Sequence, residues 1–272
     1  MKTTVFWSCT GVDGSALSYT TAELLSDAEK TLIVELPCLG IPRLGFVCGI
    51  SDRSRNTEEA IASFAQRGVV PWEMAHAAGK NLYALPANVY AIPDYPIVSK
   101  IGFQTLMDFI AALAKLAQER ECGRLILECQ GQLNSPMSFF ALQEAETIVI
   151  PLSKPSEAAY ALASIRRLVH VYKFDEGKFI LACAGNTRLV ESAAFTKTEG
   201  EEALSALQVT AWDSRKIKKL LSKEAKTKQK PSTNPEGEAE KTKRRGFRLP
   251  GFADLSLSSA GESAAGELSV RL

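Results

Sequence analysis

The sequence predicts a three-layer α/β protein, in which helices cover both faces of a doubly wound, mainly parallel sheet. Two observations support this prediction. Short strand-like runs alternate with helix-like segments along the first 222 residues, and the strand-like runs are apolar at almost every position. Strands that alternate with helices predict βαβ units. A strand that is apolar on both faces is typical of a parallel sheet covered by helices.

Six short runs rich in Val, Ile, Leu and aromatic residues are predicted to be strands: Thr3–Ser8, Thr31–Leu36, Leu125–Cys129, Thr147–Leu152, Lys178–Ala184 and Leu207–Trp212. Five segments are predicted to be helices: Ser18–Ser26, Thr57–Gln66, Gly102–Glu121, Ser156–Tyr172 and Ser214–Ala225. In the third of these, apolar residues recur three and four positions apart, as on the buried face of an amphipathic helix. A ligand of such a sheet lies outside the carboxyl ends of the strands, so we expect the functional site there.

Charge and composition divide the chain into three parts. Residues 1–222 form the predicted α/β domain, residues 223–246 a disordered basic linker, and residues 247–272 a C-terminal tail. Between Asp213 and Arg248, thirteen Lys or Arg residues outnumber five Asp or Glu residues, although the whole chain carries a net charge of only +1. The linker is polar and contains two prolines, and such a segment cannot bury enough apolar surface to order itself.

The composition also excludes some classes of protein. No apolar stretch reaches the roughly 18 residues that suggest a membrane-spanning helix, and the opening segment lacks the continuous apolar run of a signal peptide. We therefore expect a cytoplasmic protein. The six cysteines show no CxxC pair and no regular spacing, so we expect them to be small core residues and expect no metal site.

The loop after the first predicted strand is the most informative position. It reads Cys9-Thr10-Gly11-Val12-Asp13-Gly14-Ser15-Ala16-Leu17 and leads directly into a helix. Backbone N–H groups of a Gly-rich loop of this kind can surround a phosphate, helped by the helix N-terminus. A working phosphate-binding loop also needs a Lys beside its Ser or Thr. This loop has no Lys.

Six phrases resemble, in order and with similar spacing, segments of the MinD/ParA family of deviant Walker ATPases, which are P-loop ATPases of the SIMIBI class. They are the loop just quoted, TLIVELPCLGIPRLGF, NLYALPAN, RLILECQG, AETIVIPLSKPSEAAYALASIRRL and FILACAGNTR, and they span about Lys2 to Asp213. The resemblance implies the three-layer fold of that family. It also implies that the loop stands where the family binds ATP.

The resemblance assigns roles to the loop residues and shows which roles are lost. The family's loop reads Lys-Gly-Gly-any-Gly-Lys-Thr-Thr. Gly11 and Gly14 keep two of its glycines. Thr10 stands at the signature Lys, Ser15 at the phosphate-binding Lys, and Ala16 at the Mg²⁺-binding Thr. The resemblance therefore implies a degenerate member without either cation or the metal ligand.

Three further residues match functional positions of the family. Glu35 matches the acidic residue at the end of the switch I strand, but Pro37 stands where the family has the Asp that orients water. Glu128 stands at the Walker B Asp, and Asn186 at the Asn that faces adenine. Together with Gly11, Gly14 and Ser15, these residues form the expected remnant of a nucleotide site.

Each of these positions also has a purely structural interpretation. The two loop glycines suit any tight turn between a strand and a helix. Glu35 and Glu128 are alternatively solvated side chains at the end of the sheet. Asn186 is alternatively a turn or capping residue. The sequence leaves these alternatives open.

The combined losses predict an absence of ATP hydrolysis, because single charged groups in phosphoryl transfer contribute roughly 10³- to 10⁵-fold in rate. No cofactor is expected, although weak binding of ATP or ADP stays open. The resemblance implies a non-enzymatic localisation or assembly scaffold, for pilus or secretion machinery as in the CpaE/TadZ branch, or for positioning of a septum or cargo. A protein partner and a homodimer that needs no nucleotide are expected. The alternative is a divergent ATPase with weak nucleotide binding that recruits a cation from Lys154 or a partner subunit.

The C-terminal tail follows a basic cluster and resembles the membrane-targeting segment of MinD. Arg244 and Arg245 precede Phe247 and Phe252 in KRRGFRLPGF. Basic residues near an anionic leaflet contribute about 1 kcal/mol each, and inserted Phe side chains add to this. Pro250 interrupts any helix there. Reversible contact with the inner face of the cell membrane is one expectation; contact with an acidic protein partner or no specific role is the alternative, and DNA binding is not expected.

Overall fold

The computed structural model describes residues 1–37, 41–52, 54–89, 101–131, 136–185, 204 and 207–227, the last five of these by their backbone alone. Their strands form one sheet: β1 Lys2–Ser8, β2 Thr31–Glu35, β3 His76–Gly79, β4 Leu82–Leu85, β5 Arg124–Gln130, β6 Thr147–Leu152, β7 Phe179–Cys183 and β8 Gln208–Ala211. The strand order is β3-β4-β2-β5-β1-β6-β7-β8. Neighbouring strands run parallel, except that β3 pairs antiparallel with β4.

The helices of the described residues are α1 Ser15–Ser26, α2 Leu44–Val47, α3 Thr57–Arg67, α4 Phe103–Glu119, α5 Pro136–Glu144, α6 Pro155–His170 and α7 Ser214–Thr227. Helix α1 packs against α2 and α7, whereas α4 packs against α3 and α5. The helices therefore form separate groups around the sheet. The three-layer, mainly parallel α/β fold predicted from the sequence is confirmed.

The central strands are buried along their length. Leu125, Ile126 and Leu127 of β5 are fully buried, as expected for a parallel strand covered by helices on both faces. On one side of the sheet the core includes Leu17 and Leu25 of α1. Burial of such side chains stabilises a fold by about 1.5–3 kcal/mol each.

Most differences between the predicted and the observed secondary structure concern short helices and strands. The predicted strands and helices are all present, but α1 begins at Ser15, three residues before its predicted start. Strands β3 and β4 and helix α2 were not predicted, because each has only four residues. Helix α5 was not predicted because it is buried on several sides and has no amphipathic rhythm.

The strand order determines where the loop after β1 lies. Strands β2, β5 and β1 are adjacent, and Glu35, Glu128 and Phe6 share one register position across them. The carboxyl ends of parallel strands lie at the same edge of a sheet, so the start of α1 and the two glutamates come together. Among the described residues, no helix is both long enough and apolar enough to cross a lipid bilayer.

Candidate functional site

Gly11 forms a tight turn after β1. Its backbone N–H donates a hydrogen bond to the carbonyl oxygen of Ser8 at 3.2 Å. Its φ of +81° lies in the left-handed region, which glycine adopts without the steric cost that a Cβ brings. The turn alone therefore accounts for a glycine at this position.

Gly14 is needed for close packing at the start of α1. A Cβ at this position would lie 2.9 Å from Oγ of Ser8 and 3.0 Å from Cγ of Pro151. Both distances are shorter than ordinary contacts between these atoms. The structural interpretation of this glycine thus has a specific physical cause, which is the approach of the loop to β1 and β6.

Asp13 occupies the N-terminus of α1 with its own side chain. Its Oδ1 accepts a hydrogen bond from the backbone N–H of Ser15 at 3.0 Å. The same oxygen lies 3.4 Å from Nη1 of Arg43. The first N–H groups of a helix lack partners within the helix, and an acidic group is favourable beside the positive end of the helix dipole. The chain therefore supplies an anion of its own to this helix end.

Glu128 lies beneath the same helix end and is fully buried. Its carboxyl group is hydrogen-bonded to the hydroxyl of Ser15 through Oε1 and to the hydroxyl of Ser18 through Oε2, the latter at 2.9 Å. Glu128, which the resemblance places at the Walker B Asp, is thus joined to Ser15, which it places at the phosphate-binding Lys. Both side chains are used for contacts inside the protein.

Glu35 holds the loop after β2 against the end of β2 through hydrogen bonds. Its carboxylate accepts hydrogen bonds from the backbone N–H groups of Arg43 at 2.6 Å, Leu44 at 3.3 Å and Ala87 at 3.1 Å. Glu35 is only 2% exposed. The interpretation of Glu35 and Glu128 as solvated side chains is therefore wrong. The loop after β2 covers Glu35, and α1 covers Glu128.

The buried glutamates of this site have raised pKa values, and neighbouring negative charges contribute to the increase. Burial raises the pKa of Glu128, and the neighbouring Glu35 raises it further. Burial likewise raises the pKa of Glu35, although the N–H groups of Arg43, Ala87 and Leu44 oppose this. Burial also raises the pKa of Glu58, to about 7; this side chain accepts the N–H of Asn88 at 2.8 Å. Buried carboxyl groups thus cluster at this end of the sheet.

The start of α1 presents an acidic side chain, and no Lys, to a phosphate that would bind there. Like charges at short range repel one another. A phosphate at the start of α1 would meet the carboxylate of Asp13, whose charge Arg43 offsets in part, and Ser15 offers it no positive charge. Among the described residues, no cluster of three or more His, Cys, Asp or Glu side chains could hold a metal ion.

Several predicted residues cannot be placed in this site. Asn186 and the four residues expected to contact a membrane or partner, Arg244, Arg245, Phe247 and Phe252, lie outside the described residues. Lys154, the proposed replacement cation, is exposed. Of the cysteines, Cys38 is also outside the described part of the chain; Cys9, Cys122, Cys129 and Cys183 are buried, whereas Cys48 is half-buried.

The sequence interpretation missed three residues that the site uses. Asp13 had a recognisable signal, since the side chain of an Asp in a turn commonly accepts the backbone N–H two residues later, which here is the first N–H of α1. Ser18 lies three residues after Ser15, a spacing that places both on one face of a helix. Glu58 gave no signal, because its burial depends on the loop that contains Asn88.

No protein-family model matches the sequence, and no curated protein matches it. Solved structures do resemble it. The MinC:MinD cell division protein complex of Aquifex aeolicus shares 15% identity over 77% of this chain and 79% of the other, with a TM-score of 0.55. A ParA family ATPase from Chlorobium tepidum shares 15% identity over 85% and 94%, with a TM-score of 0.57. McdA of Cyanothece in complex with ATP shares 17% over 84% and 92%, with a TM-score of 0.53. The chain therefore has the fold of the MinD/ParA-type P-loop ATPases.

Proposed function

We propose that this protein is a non-catalytic localisation or assembly scaffold that uses the MinD/ParA-type fold without a nucleotide cycle. One observation carries the proposal. The first backbone N–H of α1 is already bonded to the carboxylate of Asp13, and the hydroxyl groups of Ser15 and Ser18 are bonded to the carboxyl group of Glu128. A nucleotide would have to displace these contacts and overcome the negative charge of Asp13.

The neighbouring segment supports the same proposal. Glu35 binds the backbone of Arg43 and Leu44, where the family resemblance places the switch I segment. A ligand changes a conformation only by binding two states with different affinity. Since the chain's own carboxylate holds this segment, we propose a fixed binding surface that is ready for a partner at all times.

The partner we propose is another protein. One of the similar structures is MinD in a complex with MinC, and we propose that this chain also works through protein contacts. Pilus or secretion machinery is our first proposal for the pathway, and positioning of a septum or cargo is the second. A nucleotide-independent homodimer and reversible membrane contact through the tail belong to the same proposal.

An ATPase assay tests the absence of catalysis. We expect the purified protein to release no more phosphate from Mg²⁺-ATP than buffer does, with the Glu128→Gln variant as the matched control. Equal background in both proteins supports the scaffold. A Mg²⁺-dependent turnover that disappears in Glu128→Gln would overturn it in favour of a divergent ATPase.

A further inference from the structure

The hydroxyl group of Ser18 has more acceptors than it has hydrogens. Its Oγ lies 3.0 Å from the carbonyl oxygen of Ser15 and 2.9 Å from Oε2 of Glu128. A hydroxyl donates one hydrogen and accepts through two lone pairs. If Ser18 donates to the Ser15 carbonyl, the contact with Glu128 needs a hydrogen from the glutamate. A protonated Glu128 supplies it, and each of these polar atoms is then satisfied.

Glu35 cannot take this role, because its partners only donate. Oε1 of Glu35 accepts from the N–H groups of Arg43 and Leu44, and Oε2 accepts from those of Leu44 and Ala87. A backbone N–H cannot reverse its direction, so a proton on either oxygen would face a donor. Glu35 therefore carries the negative charge of this pair.

The negative charge of Glu35 disfavours a second negative charge on Glu128. Glu35 and Glu128 are register partners on the adjacent parallel strands β2 and β5, so their side chains leave the sheet on the same face. The other charge that acts on Glu128 is Asp13, which is also acidic and lies next to Arg43. Cys48, after α2, is held neutral, since burial raises the pKa of its thiol to about 12. On the far side of Glu35, Glu58 adds a further acidic group.

We propose that Glu128 holds a proton at neutral pH and donates it to Ser18, so that a buried proton joins β5 to the start of α1. The proton leaves Glu128 without a negative charge beneath the start of α1. This inference does not depend on the scaffold function. Its consequence is a pH-sensitive contact: loss of the proton leaves two neighbouring buried carboxylates and removes the donor to Ser18.

The direction of the pH effect follows from linkage. The pKa of Glu128 rises from its ordinary 4.5 to about 8 in the folded protein, chiefly through burial. Between these values the folded state binds more protons than the unfolded state, so stability falls as the pH increases. The contribution is fully present below about pH 4.5 and lost as the pH passes about 8. Glu58 adds a smaller effect of the same sign, because burial raises its pKa to about 7.

Urea unfolding at a series of pH values from acidic to alkaline tests the proposal in the full-length protein. We expect the midpoint for the wild type to fall as the pH rises from about 4.5 to about 8. The Glu128→Gln variant keeps a neutral group that can both donate and accept, so its midpoint should match the wild type at acidic pH and fall less toward alkaline pH. Glu23→Gln, at an exposed position of α1, should keep the wild-type dependence, and Glu58→Gln separates the contribution of Glu58.

Two outcomes distinguish the glutamates. Glu35→Gln should lower the midpoint at every pH, because its amide nitrogen would face a backbone N–H whichever way the group turns. A Glu128→Gln variant that is less stable than the wild type at acidic pH, or that fails to fold, would overturn the proposal.

Carboxyl ¹³C spectra of the wild type need no variant. We expect them to show a protonated glutamate at neutral pH. A spectrum in which every glutamate is ionised at neutral pH would contradict the proposal.

Discussion

The carboxylate of Asp13 accepts a hydrogen bond from the backbone N–H of Ser15 at 3.0 Å, at the first turn of α1. This contact places an acidic side chain of the protein itself at the positive end of the dipole of α1, where an acidic group is favourable. A loop that binds phosphate would leave this N–H free for its ligand.

Replacement of this carboxylate should therefore destabilise the protein. We expect Asp13→Ala to lower the free energy of unfolding by about 0.5–1.5 kcal/mol, the usual net contribution of one hydrogen bond, because Asp13 precedes the N-cap Gly14 and bonds to the first N–H of the helix. Urea unfolding provides the measurement. Asp27→Ala is the control, because Asp27 is exposed and its ion pair with Lys218, at 3.8 Å, lies on the surface and is worth about 0–1 kcal/mol. Equal losses in both variants would show that the bond between Asp13 and the N–H of Ser15 does not stabilise α1.

A methyl group at Gly14 should be costly for packing reasons. The added Cβ would lie 2.9 Å from Oγ of Ser8 and 3.0 Å from Cγ of Pro151, and such overpacking typically costs about 1–3 kcal/mol. Gly79→Ala is the matched control, since its Cβ would lie at an ordinary 3.6 Å from Cβ of Leu82. We expect the melting temperature to fall for Gly14→Ala and to stay near the wild type for Gly79→Ala. Unchanged stability of Gly14→Ala would mean that the loop is looser than described.

The fold was predictable because its signals are local. Apolar strands such as Leu125–Cys129 and the amphipathic rhythm of α4 each depend on neighbouring residues in the sequence. The position of the candidate site was also predictable, since it follows from the topology of a parallel sheet.

The contacts inside the site were not predictable, because they join distant residues. Ser15 and Glu128 are 113 positions apart, and their contact depends on the placement of β5 between β1 and β2. The burial of Glu35 depends on the path of the loop that brings Arg43 back to the strand. The sequence predicts which residues lie at the carboxyl ends of the strands, whereas the register and the loop paths decide what they bind.

Self-association should be independent of nucleotide. The resemblance places Thr10 at the signature Lys, which in the family reaches across a dimer bridged by ATP. We therefore expect light scattering to give the same mass with and without Mg²⁺-ATP. A monomer that becomes a dimer only when ATP is added would contradict this expectation.

The tail provides a separate test, on membranes. We expect the full-length protein to co-sediment with anionic liposomes more than with neutral ones, because basic residues contribute about 1 kcal/mol each near an anionic leaflet. A chain that ends at Lys241 should lose this binding. Replacing Phe247 and Phe252 with Ser tests the apolar part of the contact while the charge is kept. Equal recovery of the full-length and shortened chains on anionic liposomes would exclude the tail from membrane contact.

Thermal unfolding with and without Mg²⁺-ATP tests most directly whether the loop after β1 binds a nucleotide. A ligand at 100 times its dissociation constant stabilises the folded state by about 2.7 kcal/mol. With the helix end bonded to Asp13 and Glu128, we expect the melting temperature to be the same in buffer, in Mg²⁺-ATP and in Mg²⁺-ADP. A melting temperature that rises with ATP concentration, and that rises further in the Asp13→Ala variant, would show that the loop binds nucleotide and would contradict the proposed function.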